Sequence, residues 1–200
     1  MSQLQLKPWL SMWMHPRKTV QAIIEYKPNY RFILLSAIVG WPAAIQIAQI
    51  YALSESLSLL VILLITVLAA PLLGALGIVI FSGIVYWIGK AIGGTSSFAE
   101  MKCAIAWSNI TGIFSVLSYA TLIAYFKGGW FSPSWINIPV DRYMAYMFFC
   151  LFIIQVVSIA LTIYLLVQSV SQVQKFSIWK SIANLGLSCL VLWGVIQFLG

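Results

Sequence analysis

Charge is scarce in this chain. Only 8% of its 200 residues are Asp, Glu, Lys or Arg, where a soluble domain carries about 25%. Acidic groups are scarcest, at four: Glu25, Glu55, Glu100 and Asp141. There is one histidine, His15, and Cys103, Cys150 and Cys189 stand singly. Each shortage excludes a class of chemistry. One histidine allows no H-E-x-x-H pair, and neither a G-x-S-x-G elbow nor an intramembrane aspartate pair occurs. His15 beside Pro16 reads as a turn residue facing solvent or headgroups rather than as a base. The cysteines lack C-x-x-C spacing and read as small buried apolar residues. No glycine-rich loop runs into a Lys-Ser or Lys-Thr pair, so nucleotide binding has no support. No enzymatic activity, no metal and no cofactor are expected.

What the chain has in abundance is apolar length. It is 62% hydrophobic with a mean hydropathy of +0.99, and runs long enough to cross about 30 Å of hydrocarbon recur along almost all of it. Five spans are expected: Phe32 to Leu53, Leu57 to Ile88, Ala104 to Phe126, Met144 to Val170 and Ile178 to Leu199. At 1.5 Å per residue the second would reach about 48 Å, so tilt, a kink at Pro71 or protrusion must absorb the excess. No ten-residue alternation of apolar and polar residues points to a barrel, so the fold class is all-α, a polytopic membrane protein. Residues 1–31 form an amphipathic interfacial segment and residues 32–199 the membrane domain.

A net charge of +7 would suit nucleic acid, but its distribution argues against that partner. Lys7, Arg17, Lys18, Lys27 and Arg31 precede the first span. Lys90 and Lys102 bracket the second loop, Lys175 and Lys180 the fourth, and only Lys127 and Arg142 fall on the other side. By the positive-inside rule the amino terminus is cytoplasmic and, after five crossings, the carboxyl terminus lies outside. The membrane is the inner one if the chain is bacterial. A cleavable signal peptide is not expected, because about thirty residues precede the first apolar run.

The stretch "PWLSMWMHPRKTVQ" places Trp9 and Trp13 four apart, on a face extended by Leu10 and Met14. Pro16 is suited to open a second helix with Val20, Ile23 and Ile24 on one side and Arg17, Lys18, Gln21 and Glu25 on the other. Two in-plane segments hinged at Pro16 are expected. Their tryptophans would lie at headgroup level, with Arg17 and Lys18 reaching the anionic leaflet. The same surface could receive a protein partner.

Span one carries Gly40, Ala44, Ala48 and Ala52, a stripe that lets two helices approach within the bundle or in a homo-oligomer. Ser54, Glu55 and Ser56 make a tight hairpin. Gly93 and Gly94 end the second span, and Ser97 with Glu100 forms a capping box for the next helix. Ser177 caps the helix after Phe176. Phe98 to Lys102 and Phe176 to Lys180 repeat one spacing, a hint of internal duplication. Trp130, Phe131 and Trp135 read as an aromatic belt resting on the membrane. No charged residue is expected inside the hydrocarbon, which argues against proton relays and gating arginines. Neutral polar groups remain there: Gln46, Gln49, Asn109, Thr111, Gln155 and Asn184. They serve as interhelical glue, or, if they converge near Pro42 and Pro71, line a path for a small neutral or lipidic solute.

Three stretches, "PWLSMWMHPRKTVQAI", "IGGTSSFAEMKCAIAWSNI" and "VSQVQKFSIWKSIANL", together resemble the Yip-domain family of Ypt-interacting membrane proteins, in its short bacterial form. The landmarks are Trp13, Pro16 and Arg17; Gly93, Gly94, Ser97 and Phe98; Phe176 and Ser177. The resemblance implies a five-helix bundle with a cytoplasmic amino terminus. Eukaryotic members are linked to Rab-type GTPases and vesicle traffic, and carry a longer cytosolic amino-terminal region than the 31 residues here. The reading that follows is a non-enzymatic membrane protein that organises membrane or binds a partner through its cytoplasmic face. The alternative is a transporter or channel.

Overall fold

The computed structural model describes residues 7–133 and 139–199, and among them there are helices and no strands. The elements are α1 (Pro8–Met14), α2 (Pro16–Tyr26), α3 (Phe32–Ile50), α4 (Leu59–Ala91), α5 (Phe98–Ser108), α6 (Gly112–Phe126), α7 (Arg142–Gln174) and α8 (Ile178–Leu199). Five segments are long and apolar enough to cross a membrane: α3, α4, Phe98–Phe131, α7 and α8. Both α4 and α7 are 33 residues long, about 50 Å at the usual rise. The third span starts at Phe98, six residues before the apolar run that betrays it in the sequence, because the capping box sets the start. The chain forms two compact units. The first comprises Met1–Phe32, Leu76–Ile110 and Thr162–Gly200, the second Ile33–Ala75 and Thr111–Leu161. Nine of the eleven basic and two of the four acidic residues fall in the first, so it holds the whole formal charge of +7 and the second holds none.

In the second unit α3 and α4 approach backbone to backbone. A Cβ on Gly40 would fall on the Ala70 carbonyl oxygen, and one on Gly74 would lie 2.8 Å from Gly40 N and on the Ser36 carbonyl oxygen. Gly40, Ala44 and Ala48 are all buried, so the small-residue stripe is used inside the chain. Pro42 continues α3 without an amide hydrogen and deprives the Ile38 carbonyl of its helical partner. Gly112 comes to this point: its absent Cβ would lie 3.7 Å from Ile38 O. The start of α6 thus covers the opened turn.

The core of this unit joins Ile45, Ile62, Leu122 and Ile123 to Trp130 and Phe131. The last two correct an expectation. Trp130 is 6% exposed and Phe131 fully buried, because the 3-10 turn Lys127–Phe131 folds back on the bundle. Phe126 meets Trp130 at 5.7 Å and Phe148 at 6.0 Å between ring centres. They are core residues and not a membrane belt; Trp135 lies outside the described residues.

In the first unit α2 packs on α5 with Pro16, Thr19, Val20 and Ile23 buried. α5 is buried over most of its length, from Met101 through Cys103 to Ser108. Two helices of this unit end in the same way. Gly94 N donates to Gly89 O at 2.7 Å around Gly93 at φ +89°, and Phe176 N to Ser171 O at 3.0 Å around Lys175 at φ +56°. Both are six-to-one closures with a left-handed residue at the turn. A serine-capped helix follows each. Ser97 Oγ accepts from Glu100 N while Glu100 Oε2 accepts from Ser97 N at 2.6 Å, and Ser177 Oγ accepts from Lys180 N at 3.3 Å. Phe98 stands just after its cap and Phe176 just before, so the equal Phe-to-Lys spacings occupy different structural positions and mark no duplication.

Candidate functional site

Two prolines start the amino-terminal corner. Pro8 and Pro16 open α1 and α2, where a missing amide hydrogen is harmless, and His15 is the non-helical joint between them. Thr19 Oγ1 donates to His15 O at 2.8 Å and ties the second helix to the joint. Arg17 does not reach outward to headgroups as expected. Its Nε donates to Gln168 Oε1 at 2.6 Å and its Nη2 to Ser171 Oγ at 3.2 Å, both on α7. Ser171 Oγ in turn donates to Phe176 O at 2.7 Å. A guanidinium with two short polar partners, part-buried, is better satisfied there than at a mobile headgroup.

Trp9 is likewise turned inward. Its ring meets Trp107 edge-on at 5.5 Å, Tyr30 stacks on Trp107 at 6.2 Å, and the Arg31 guanidinium carbon lies 5.8 Å from the Trp9 ring centre and 5.3 Å from that of Tyr30. Trp107 is almost wholly buried. The apolar side of α2 is covered by α5, so the in-plane anchor expected from the sequence has its main face taken up by protein. What stays open on α1 is the flank next to the tryptophans: Leu10 is 67% and Met14 76% exposed. Lys7 and Lys18 are exposed as well, and Trp13 is half-buried.

The loop residues act on the backbone and on one another. Gly94 has no room for a side chain, because Gln174 Oε1 occupies the position of its Cβ; at Gly89 the Gln174 Nε2 does the same, with Asn184 Nδ2 3.0 Å away. Gln174 and Asn184 are both fully buried, and none of their four side-chain polar atoms has a partner among the described residues. Gly93 and Gly94 thus do two jobs, ending α4 and admitting a buried amide.

The neutral polar residues Gln46, Gln49, Asn109, Gln155 and Asn184 are divided between the two units. In the second unit Gln46 Nε2 donates to Tyr119 Oη at 2.6 Å and Ser115 Oγ to Gln155 Oε1 at 3.1 Å, beside Pro42, around a cavity of about 460 Å³. Gln49 Nε2 has no partner among the described residues. Asn109 and Asn184 belong to the first unit, and Asn109, the C-cap of α5, donates its Nδ2 to Ile105 O of that helix at 2.8 Å. Among the described residues no three His, Cys, Asp or Glu side chains gather. Sequence reasoning missed Trp107, Gln168, Ser171 and Gln174, the partners of Trp9, Arg17 and the glycines. The only signal for them was the pair Gly89 and Gly94, five apart at the end of an apolar run.

Five helical segments long and apolar enough to cross a membrane define an integral membrane protein of the helical, polytopic class. A family model, the Yip1 domain, matches residues 10–200, and the chain belongs to that family. No curated protein and no solved structure matches it.

Proposed function

We propose that this Yip1-domain protein is non-enzymatic and binds a partner through its cytoplasmic face, made of residues 1–31 and the loops at Gly93–Ser97 and Phe176–Ser177. Residues 32–199 are the membrane domain that holds that face in place. The observation that carries the reading is the pair Leu10 and Met14, exposed on a helix whose opposite side is buried through Met12, whose Trp9 packs on Trp107 and whose neighbour is held by Arg17. An apolar pair that is exposed yet held in position loses little entropy on docking. Lys7 and Lys18 beside it favour a partner with acidic residues flanking an apolar anchor. The nine basic residues gathered in the first unit support a cytoplasmic amino terminus and an external carboxyl terminus.

A photo-crosslinking residue at Leu10, in membranes of the source cell, captures a specific protein when the reading holds. Met14→Asp in the same crosslinker-bearing chain abolishes capture and leaves the helical spectrum unchanged. Crosslinks to lipid alone refute it. A second reading, passage of a small neutral solute, is favoured by the cavity at Gln46, Tyr119, Ser115 and Gln155. Solute flux into proteoliposomes that falls in Gln155→Leu supports it, and flux equal to that of empty vesicles removes it.

A further inference from the structure

The cations of the first unit have an unusual set of neighbours. Lys90 Nζ lies 5.7 Å from the Tyr86 ring centre, Lys180 Nζ 4.5 Å from that of Phe176, and Lys102 Nζ 4.8 Å from that of Phe32. Arg31 is over Trp9 and Tyr30. The unit's two acids are engaged elsewhere. Glu25 Oε1 accepts from Gln21 and Glu100 Oε2 from the Ser97 amide. A ring face attracts an ammonium by its quadrupole but neutralises no charge and accepts none of the N–H donors strongly. These lysines are therefore held in place with their charge uncompensated.

Two of them meet at one turn. Lys90 is on the last turn of α4, and Lys180 Nζ reaches within 3.8 Å of where a Gly93 Cβ would be. The negative end of α4 accounts for cations there but leaves most of their donors open. Directly beside this turn runs a groove of about 700 Å³ lined by Val79, Ile80, Gly83, Trp87, Phe98 and Val191. That is within the roughly 300–1,000 Å³ range of ligand sites. Tyr86, which carries Lys90, also lines the groove and meets Phe98 edge-on at 6.0 Å. Nothing lies within 4 Å of a Cβ on Gly83, so the glycine leaves a notch in the groove wall. An open apolar groove whose wall includes Tyr86, the ring under Lys90, and which runs toward the turn that Lys180 reaches, matches one ligand chemistry. We propose that this groove is a specific site for an anionic phospholipid, an acyl chain lying along α4 past Gly83 and the phosphate resting between Lys90 and Lys180.

The test uses the full chain, purified in mild detergent and loaded with palmitoyl-oleoyl phosphatidylglycerol or the matching phosphatidylcholine. Lipid retained after gel filtration is counted by mass spectrometry. Wild type retains the phosphatidylglycerol about thirtyfold better, in line with two basic side chains near a phosphate. Lys90→Gln with Lys180→Gln abolishes the preference, and Lys90→Arg with Lys180→Arg retains it. Lys7→Gln with Lys18→Gln leaves it unchanged although the net charge falls equally. Gly83→Leu, whose Cβ meets nothing within 4 Å and whose branch projects into the notch, lowers retention of both lipids. No preference in wild type, the same preference in the double glutamine variant, an equal fall in the Lys7 and Lys18 variant, or undiminished retention in Gly83→Leu each overturns the proposal. Helical signal and elution volume, unchanged in every variant, show that the fold is intact.

Discussion

Gly74→Ala adds one methyl group to a helix and should strongly destabilise the protein. The new Cβ would coincide with the Ser36 carbonyl oxygen and lie 2.7 Å from Ser36 C and 2.8 Å from Gly40 N, all backbone atoms of α3. Ordinary van der Waals approach needs at least 3.4 Å, far more than the Ser36 oxygen leaves, and backbone cannot rotate away as a side chain can, so α3 and α4 must part. Overpacking of this kind costs about 1–3 kcal/mol. Each weak Cα–H···O bond that breaks as the Gly40–Gly74 seam opens adds about 0.5–1 kcal/mol. The total is about 2–4 kcal/mol. Gly77→Ala is the control: three residues along the same helix, nothing lies within 4 Å of its Cβ, and alanine favours helix by about 1 kcal/mol where backbone is exposed. Reversible unfolding in SDS-containing mixed micelles, followed by far-UV circular dichroism, measures both. Gly74→Ala should unfold at a lower SDS fraction than wild type, and Gly77→Ala at the same or a higher one. Equal midpoints for the two alanine variants would refute the backbone-to-backbone packing.

Trp130→Ala should cost about 3–5 kcal/mol in the same assay, as for a core aromatic; a residue in a membrane belt would cost far less. Gln174→Met replaces a buried amide without partners by an apolar group of similar length, and should leave stability unchanged or raise it by about 1–3 kcal/mol; a clear loss would mean that the amide is paired. Arg17→Ala removes two charge-assisted hydrogen bonds to α7, about 1.5–3 kcal/mol each at most. Limited trypsinolysis should then cut after Lys18 and Lys27 at least several-fold faster while the bundle stays protease-resistant, and unchanged cleavage would count against the clamp. Ser97→Ala should cost about 1 kcal/mol by removing the cap of α5, read as a lower SDS midpoint, and Ser97→Asp should restore it.

Composition and periodicity alone settled the class. A bilayer imposes a length on every crossing and forbids unpaired backbone, so apolar runs of the right length can mean little but spanning helices. Helix punctuation was equally local: Pro16 starts a helix, Gly93 ends one, and Ser97 with Glu100 starts another, because each acts within a turn of itself. What the sequence left undecided was which partner each side chain takes. Trp9 and Arg17 look like headgroup anchors until Trp107, Gln168 and Ser171 are brought beside them from far along the chain. Trp130 looks like a belt residue until a 3-10 turn folds it inward. In a chain where both lipid-facing and core-facing sides are apolar, hydropathy does not separate them. Only the tertiary structure decided that Gly40 faces Gly74, that Gln46 and Gln155 share a cavity, and that Lys90 and Lys180 share one helix end. Those pairings join residues about 30 to 110 positions apart, and no local pattern encodes them.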